Sequence, residues 1–113
     1  MQIKVAVKRT NLIVDIAGEL DHHYVESVKR KVDSEMINSS VKNIIFDFSN
    51  VNFMDSSGIG VIMGRYKMIQ KLNGTAVIVN PNSQIRRILE MSGILKIIPV
   101  YDNMENAIES LSM

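Results

Sequence analysis

A pair of hydroxyls between an acid and a glycine-spaced run, Asp55-Ser56-Ser57-Gly58-Ile59-Gly60, is the stretch best equipped for chemistry. Residues 44–48 before it form an apolar, strand-like run, and residues 59–72 after it place apolar side chains at helical spacing. Serines at the mouth of a helix face unsatisfied backbone N–H groups and the positive end of the helix dipole. Such a position suits a cap, a bound anion or a phosphorylated serine. A phosphate would add about −1.5 to −2 charges. The helix end tolerates that charge, whereas a partner packed on the same spot does not, because a charge left unpaired in an interface costs several kcal/mol.

Other chemistries fit these residues less well. A serine hydrolase of the elbow type needs G-x-S-x-G, and Asp55-Ser56-Ser57-Gly58 is not that pattern. His22 and His23 are the only histidines; being adjacent they diverge, and no H-x-x-x-H spacing supports a metal site. Either could serve Ser56 as a base if the two loops meet, but as first-turn surface residues near a contact site they need no catalytic role. Gly58, Gly60 and Gly64 give G-x-G-x-x-x-G, which departs from the dinucleotide fingerprint. Glycines on one helix face are more simply a means of close approach to the sheet or a partner. A small nucleotide-binding or serine-dependent enzyme domain is the alternative these residues leave open.

The bulk composition narrows the field. The 113 residues suit one domain, 1–113, large enough to bury a core. Thirteen basic residues nearly cancel twelve acidic ones, and aromatics are 5%, so neither bulk charge nor base stacking points to nucleic acid. Cysteine is absent, which removes disulfides, thiolate metal sites and cysteine nucleophiles. The start, Met1-Gln-Ile-Lys-Val-Ala-Val-Lys8, alternates rather than forming a signal-peptide core, and no apolar run approaches a membrane span. The expectation is a cytoplasmic protein without membrane attachment, metal or cofactor.

The elements that must position the serines follow from periodicity. Ile3, Val5 and Val7, then Leu12, Val14 and Ile16, alternate with polar residues across Arg9-Thr10-Asn11, which predicts an antiparallel hairpin with Gly18 ending its second strand. Asp21 is placed to cap a helix that buries Val25, Val28, Val32 and Met36 and turns Glu26, Lys29, Arg30 and Asp33 outward. After the central strand at 43–48, the second helix aligns Ile59, Ile62, Met63, Tyr66, Ile69 and Leu72, and ends at Asn73-Gly74. A strand over 75–79 leads to a helix capped by Ser83, with Ile85, Ile88 and Leu89 on its apolar face and Gly93 as its stop. Residues 96–101 read as the last strand, and Asp102 with Glu105 as the capping box of a terminal helix. The basic runs Lys29-Arg30-Lys31 and Arg86-Arg87 read as solvated helix faces. Met54, Met63 and Met68 read as core filling before contact surface.

The order ββαβαβαβα predicts an α/β fold: a mixed, mostly parallel sheet with an N-terminal hairpin strand, covered by about four helices. Loops leaving the carboxyl ends of parallel strands collect at one edge. If the second and third strands are parallel, Asp21 and Ser56 share that edge.

Over Phe53-Met-Asp-Ser-Ser-Gly-Ile-Gly-Val-Ile-Met-Gly-Arg-Tyr-Lys67, with Gly18-Glu-Leu-Asp-His-His23 and Met91-Ser-Gly-Ile-Leu-Lys-Ile-Ile98 in order, the chain resembles the STAS domain, specifically the anti-sigma factor antagonists of its sporulation branch. The resemblance implies a partner switch. The unmodified antagonist binds an anti-sigma factor that is also a serine kinase (of the anti-sigma F type), releasing the sigma factor. The kinase phosphorylates the serine after the motif aspartate, Ser56, and a serine phosphatase reverses this. It implies a contact surface of Asp21, Asp55, Ser56, Ser57, Gly58, Ile59 and Gly60, no catalytic residue, and Ser57 left as the cap. A STAS scaffold in a stress-signalling complex is a further alternative.

Overall fold

The computed structural model describes residues 1–112. Strands β1 (Gln2–Lys8) and β2 (Asn11–Leu20) form the expected hairpin, pairing antiparallel from Gln2 with Ala17 to Lys8 with Asn11. Arg9 makes the tight turn possible by taking a left-handed φ of 58°. After α1 (Val25–Asn38), β3 (Asn43–Met54) pairs parallel with β2, and β4 (Ala76–Val79) and β5 (Val100–Tyr101) add parallel strands beyond it. The sheet order is β1-β2-β3-β4-β5. Helices α2 (Ser56–Lys71), α3 (Ser83–Ser92) and α4 (Met104–Ser110) complete the chain.

The strict alternation of the sheet divides the core in two. Leu12, Val14, Ile16, Ile44, Phe46 and Ile78 face α1, α2 and α3. Ile45, Val77 and Val79 face the other way, onto Ala107 of α4, with Ile13 and Tyr101 beside them. Val25, Val28 and Val32 of α1 are buried as the periodicity requires. Among the described residues no helix is long and apolar enough to cross a membrane, and no group of three or more His, Asp or Glu could hold a metal ion.

Several boundaries differ from expectation. Gly18 does not end β2. It lies within the strand at φ 102°, between register shifts at Asp15/Ala17 and Gly18/Glu19, and the strand continues to Leu20. A glycine tolerates the conformation a bulge needs, so the bulge is absorbed rather than terminating the pairing. Strand β3 likewise extends six residues past Phe48 to Met54, because the far end of β2 supplies it with partners. The last strand shrinks to Val100–Tyr101, since Gly93 starts a 3-10 turn over Ile94–Lys96 that buries Ile94 and Ile98.

The caps shift to neighbouring residues. Asn82, not Ser83, accepts from the Ile85 N–H at 2.8 Å, and Asn103, not Asp102, accepts from the Asn106 N–H at 2.8 Å. Two adjacent residues with good capping side chains leave the choice to tertiary geometry. Asn73 takes the left-handed position after α2 at φ 62°. Gly74 is required for a different reason: a Cβ there would run into the Lys42 carbonyl.

The buried stripe of α2 is rotated from the expected one. Gly58, Val61, Ile62, Arg65 and Ile69 are buried, while Leu72 is exposed. Arg65 is the surprise, at 9% exposure. Its Nε lies 3.1 Å from Asp33 Oδ1 on α1, a charge contact without hydrogen-bond alignment, and its Nη1 is buried without a partner. Asp33 therefore faces α2, not solvent alone, and ties the two helices together. Removing either member strands the other charge, but Asp33→Ala leaves a guanidinium at 10% side-chain exposure, whereas Arg65→Met leaves a carboxylate at 32% that still reaches water. Asp33→Ala should lower unfolding stability by about 2 kcal/mol and Arg65→Met by less than about 1 kcal/mol, measured by urea titration of both variants.

Candidate functional site

The parallel pairing of β2 with β3 brings their carboxyl ends together, with Leu20 opposite Met54. The Asp55 N–H donates to the Leu20 carbonyl at 3.4 Å, so the two following loops leave the sheet side by side. The expectation that the Asp21 and Ser56 loops share one edge holds.

Asp55 is the residue that joins them. As N-cap of α2 it accepts from the Ser57 N–H at Oδ1, 2.9 Å away, satisfying one orphan donor of the first turn. Its Oδ2 accepts from the His22 N–H at 3.2 Å, across from the other loop. The Gly58 N–H donates to the Asp55 backbone carbonyl at 3.0 Å. Burial pushes the Asp55 carboxyl up. Hydrogen bonds from the His22 and Ser57 N–H groups, the His22 ring and Gly58 outweigh it and hold the carboxyl below its usual 3.8.

Asp55 thus takes the role assigned to Ser57 by elimination. An acid immediately before two serines is itself a strong cap, and its side chain reaches the N–H two residues on. Ser57 is half-buried, and Ser56, the first residue of α2, is exposed. The hydroxyl of Ser56 is therefore free of a capping task and open to solvent.

Asp21 does not cap α1. Its Oδ1 accepts from the His23 N–H at 3.0 Å, and its carbonyl accepts from the Tyr24 and Val25 N–H groups, which makes a turn ahead of the helix. Tyr24 occupies the cap position with no side-chain bond. A carboxylate that closes its own loop in this way stays at the edge, half-exposed. His23 Nδ1 lies 3.6 Å from Asp21 Oδ1, His22 Nδ1 lies 3.5 Å from Asp55 Oδ2, and the two rings are 4.0 Å apart.

The glycines separate into two kinds. A Cβ on Gly58 would meet Met54 Cγ at 2.6 Å and the Leu20 carbonyl at 2.9 Å, so the helix can seat on the strand ends only through a glycine. Gly60 and Gly64 have open space where a side chain would go, so the sheet makes no demand on them. Ile59 is half-buried against the core. Phe53, at 45% exposure, adds an apolar surface beside a shallow cleft with Glu19, Asp21, His23 and Tyr24. It lies beyond residue 48, where the strand was expected to end, so no alternation assigned it a solvent face.

Residues 2–107 match the STAS domain family, and the chain belongs to that family. It is 41% identical over 113 residues to the anti-sigma F factor antagonist of Paenibacillus polymyxa, covering 100% of this chain and 97% of that one. The anti-sigma factor antagonist SpoIIAA in its unphosphorylated form superposes with a TM-score of 0.85 at 30% identity, over 96% of this chain and 95% of that one. The Bacillus cell fate determinant SpoIIAA in the phosphorylated form gives a TM-score of 0.76 at 30% identity, over 96% and 98%. The α/β fold read from periodicity, a mostly parallel sheet with one hairpin strand, is the STAS fold.

Two outcomes test this geometry. Gly58→Ala should destabilise by about 1–3 kcal/mol through overpacking, while Gly60→Ala should leave stability unchanged or raise it by up to about 1 kcal/mol; thermal unfolding of both separates them. The lowered Asp55 carboxyl means the unfolded chain binds more protons in acid, so its contribution is present above about pH 4 and lost as pH falls through the folded value. The stability gap between the wild type and Asp55→Asn should accordingly shrink on acidification, measured by denaturant titrations across that range.

Proposed function

We propose that this chain is an anti-anti-sigma factor of the sigma-F type, a cytoplasmic binding module switched by phosphorylation of Ser56. The unmodified form binds an anti-sigma factor serine kinase through Asp21, Asp55, Ser56, Ser57, Gly58, Ile59 and Gly60, and so releases the sporulation sigma factor. Phosphorylation by that kinase ends the binding, and a serine phosphatase restores it. The chain is a substrate and ligand in this scheme, not a catalyst.

The observation that carries the reading is the division of labour at α2. Asp55 holds the helix cap and the neighbouring loop, which leaves Ser56 exposed at the first helical position with no structural duty found for it. Its phosphate would sit at the helix N-terminus, where negative charge is tolerated, so the fold can survive modification. The same phosphate in a closed interface would need new cations from the partner or would drive it off. The similarity to antagonists named for anti-sigma F factors supports the choice of partner. The half-exposed carboxylates of Asp21 and Asp55 suit cationic residues on the partner's side.

The test uses the purified chain with an anti-sigma F type kinase and labelled ATP. Ser56 should be labelled only when the kinase is present, and Ser56→Ala should not be labelled at all. In calorimetry Ser56→Ala should bind as tightly as the wild type, and Ser56→Asp at least tenfold more weakly, a loss of about 1.4 kcal/mol or more. Equal binding by the two variants would show that release does not work through charge, and labelling without kinase would point to an enzyme instead.

A further inference from the structure

The acidic edge contains groups that can gain a positive charge. Asp55 Oδ2 receives the His22 backbone N–H and also faces His22 Nδ1 at 3.5 Å. The His22 side chain is 68% exposed and lies against the ring of His23, which is paired in turn with Asp21. Glu19 at the end of β2 lines one cleft with Asp21 and His23, and Glu26 in the first turn of α1 is engaged by Lys29 at 3.3 Å. No lysine or arginine occurs within residues 19–24 or 53–60. A phosphate on Ser56, next in sequence to Asp55, would join this gathering of carboxylates. On those two loops only the histidines can become cations.

We propose that the His22 imidazolium is the intramolecular counter-ion of a phosphate on Ser56, binding a proton when the phosphate is present and exchanging its ring contact with Asp55 for one with the phosphate. The proposal rests on the reading of Ser56 as the phosphoacceptor. His22 is better placed than His23, because its ring already lies against the residue preceding Ser56, whereas the His23 ring is held toward Asp21. The backbone bond from His22 to Asp55 anchors the residue independently of its side chain, so the exchange asks the ring to turn and not the loop to move.

The chemistry of the two groups makes them a coupled pair. A serine phosphate loses its second proton near pH 6 and a free imidazole near pH 6.5. Each charge favours the opposite one on its neighbour, so the pair shares its titration near neutral pH. The phosphate charge would then be partly offset within the chain itself. A phosphatase that engages the phosphate has to displace an imidazolium, not water alone.

The experiment places phosphoserine at position 56 during synthesis, by suppression of an amber codon, so it depends on no kinase. Histidine ring resonances and the phosphorus resonance are followed from about pH 5 to 8, the range of imidazole titration. In the phosphorylated chain the His22 midpoint should rise by about one unit relative to the unmodified chain, with a smaller change at His23. His22→Gln keeps the backbone N–H to Asp55 and should move the phosphate midpoint upward, while His23→Gln should leave it in place. An unchanged His22 midpoint, or equal effects of the two substitutions, overturns the proposal. Kinase labelling reports separately on whether Ser56 is the natural acceptor.

Discussion

The parallel pairing of β2 with β3 is the constraint on which the site depends. It is carried past the ordinary end of both strands, to Leu20 and Met54, and two register shifts are accommodated on the way. Only because both strands reach that far does the Asp55 N–H find the Leu20 carbonyl, and only then can one carboxylate accept from Ser57 and from His22 together. Gly58 belongs to the same constraint, since the helix must descend onto the strand ends without a Cβ. Loosening this pairing at its far end would separate Asp21 from Ser56.

The framework was legible because period and punctuation agreed across most of the chain. Alternation in β1 and β2, the buried faces of α1 and α3, and Gly93 as a helix stop each follow from local pattern, and the packing respects them. What local pattern could not supply were features decided by contacts distant in sequence. The extension of β3 over Ser49–Met54 shows weak alternation of its own and exists because β2 pairs with it. Nothing local marks Arg65 for burial, which makes sense only with Asp33 across the helix interface.

The site was legible in composition and misassigned in detail. The edge was foreseen from topology, and Ser56 and Asp21 are where a parallel β2–β3 pair must put them. The capping role fell to Ser57 because the resemblance assigns the phosphate to Ser56, although a carboxylate at Asp55 has the same geometry and a stronger, charge-assisted acceptor. The histidines were seen as a candidate base or as bystanders, and the structure instead sets each beside an aspartate. Adjacent residues diverge in an extended strand, but in the turn following β2 the two rings lie 4.0 Å apart, tilted by 36°.

The bare face of α2 has a thermodynamic meaning. Gly60 and Gly64 stand one turn apart with open space above them, and neither is needed by the core. A helix normally presents long side chains that lose rotamer freedom when another surface covers them, at a cost of about 0.5–1.5 kcal/mol each. At these two positions there is only backbone to cover. A surface that docks there can approach closely while freezing almost nothing on this side of the contact, so attachment need not rely on a large buried area, and it can be undone by a small electrostatic change nearby.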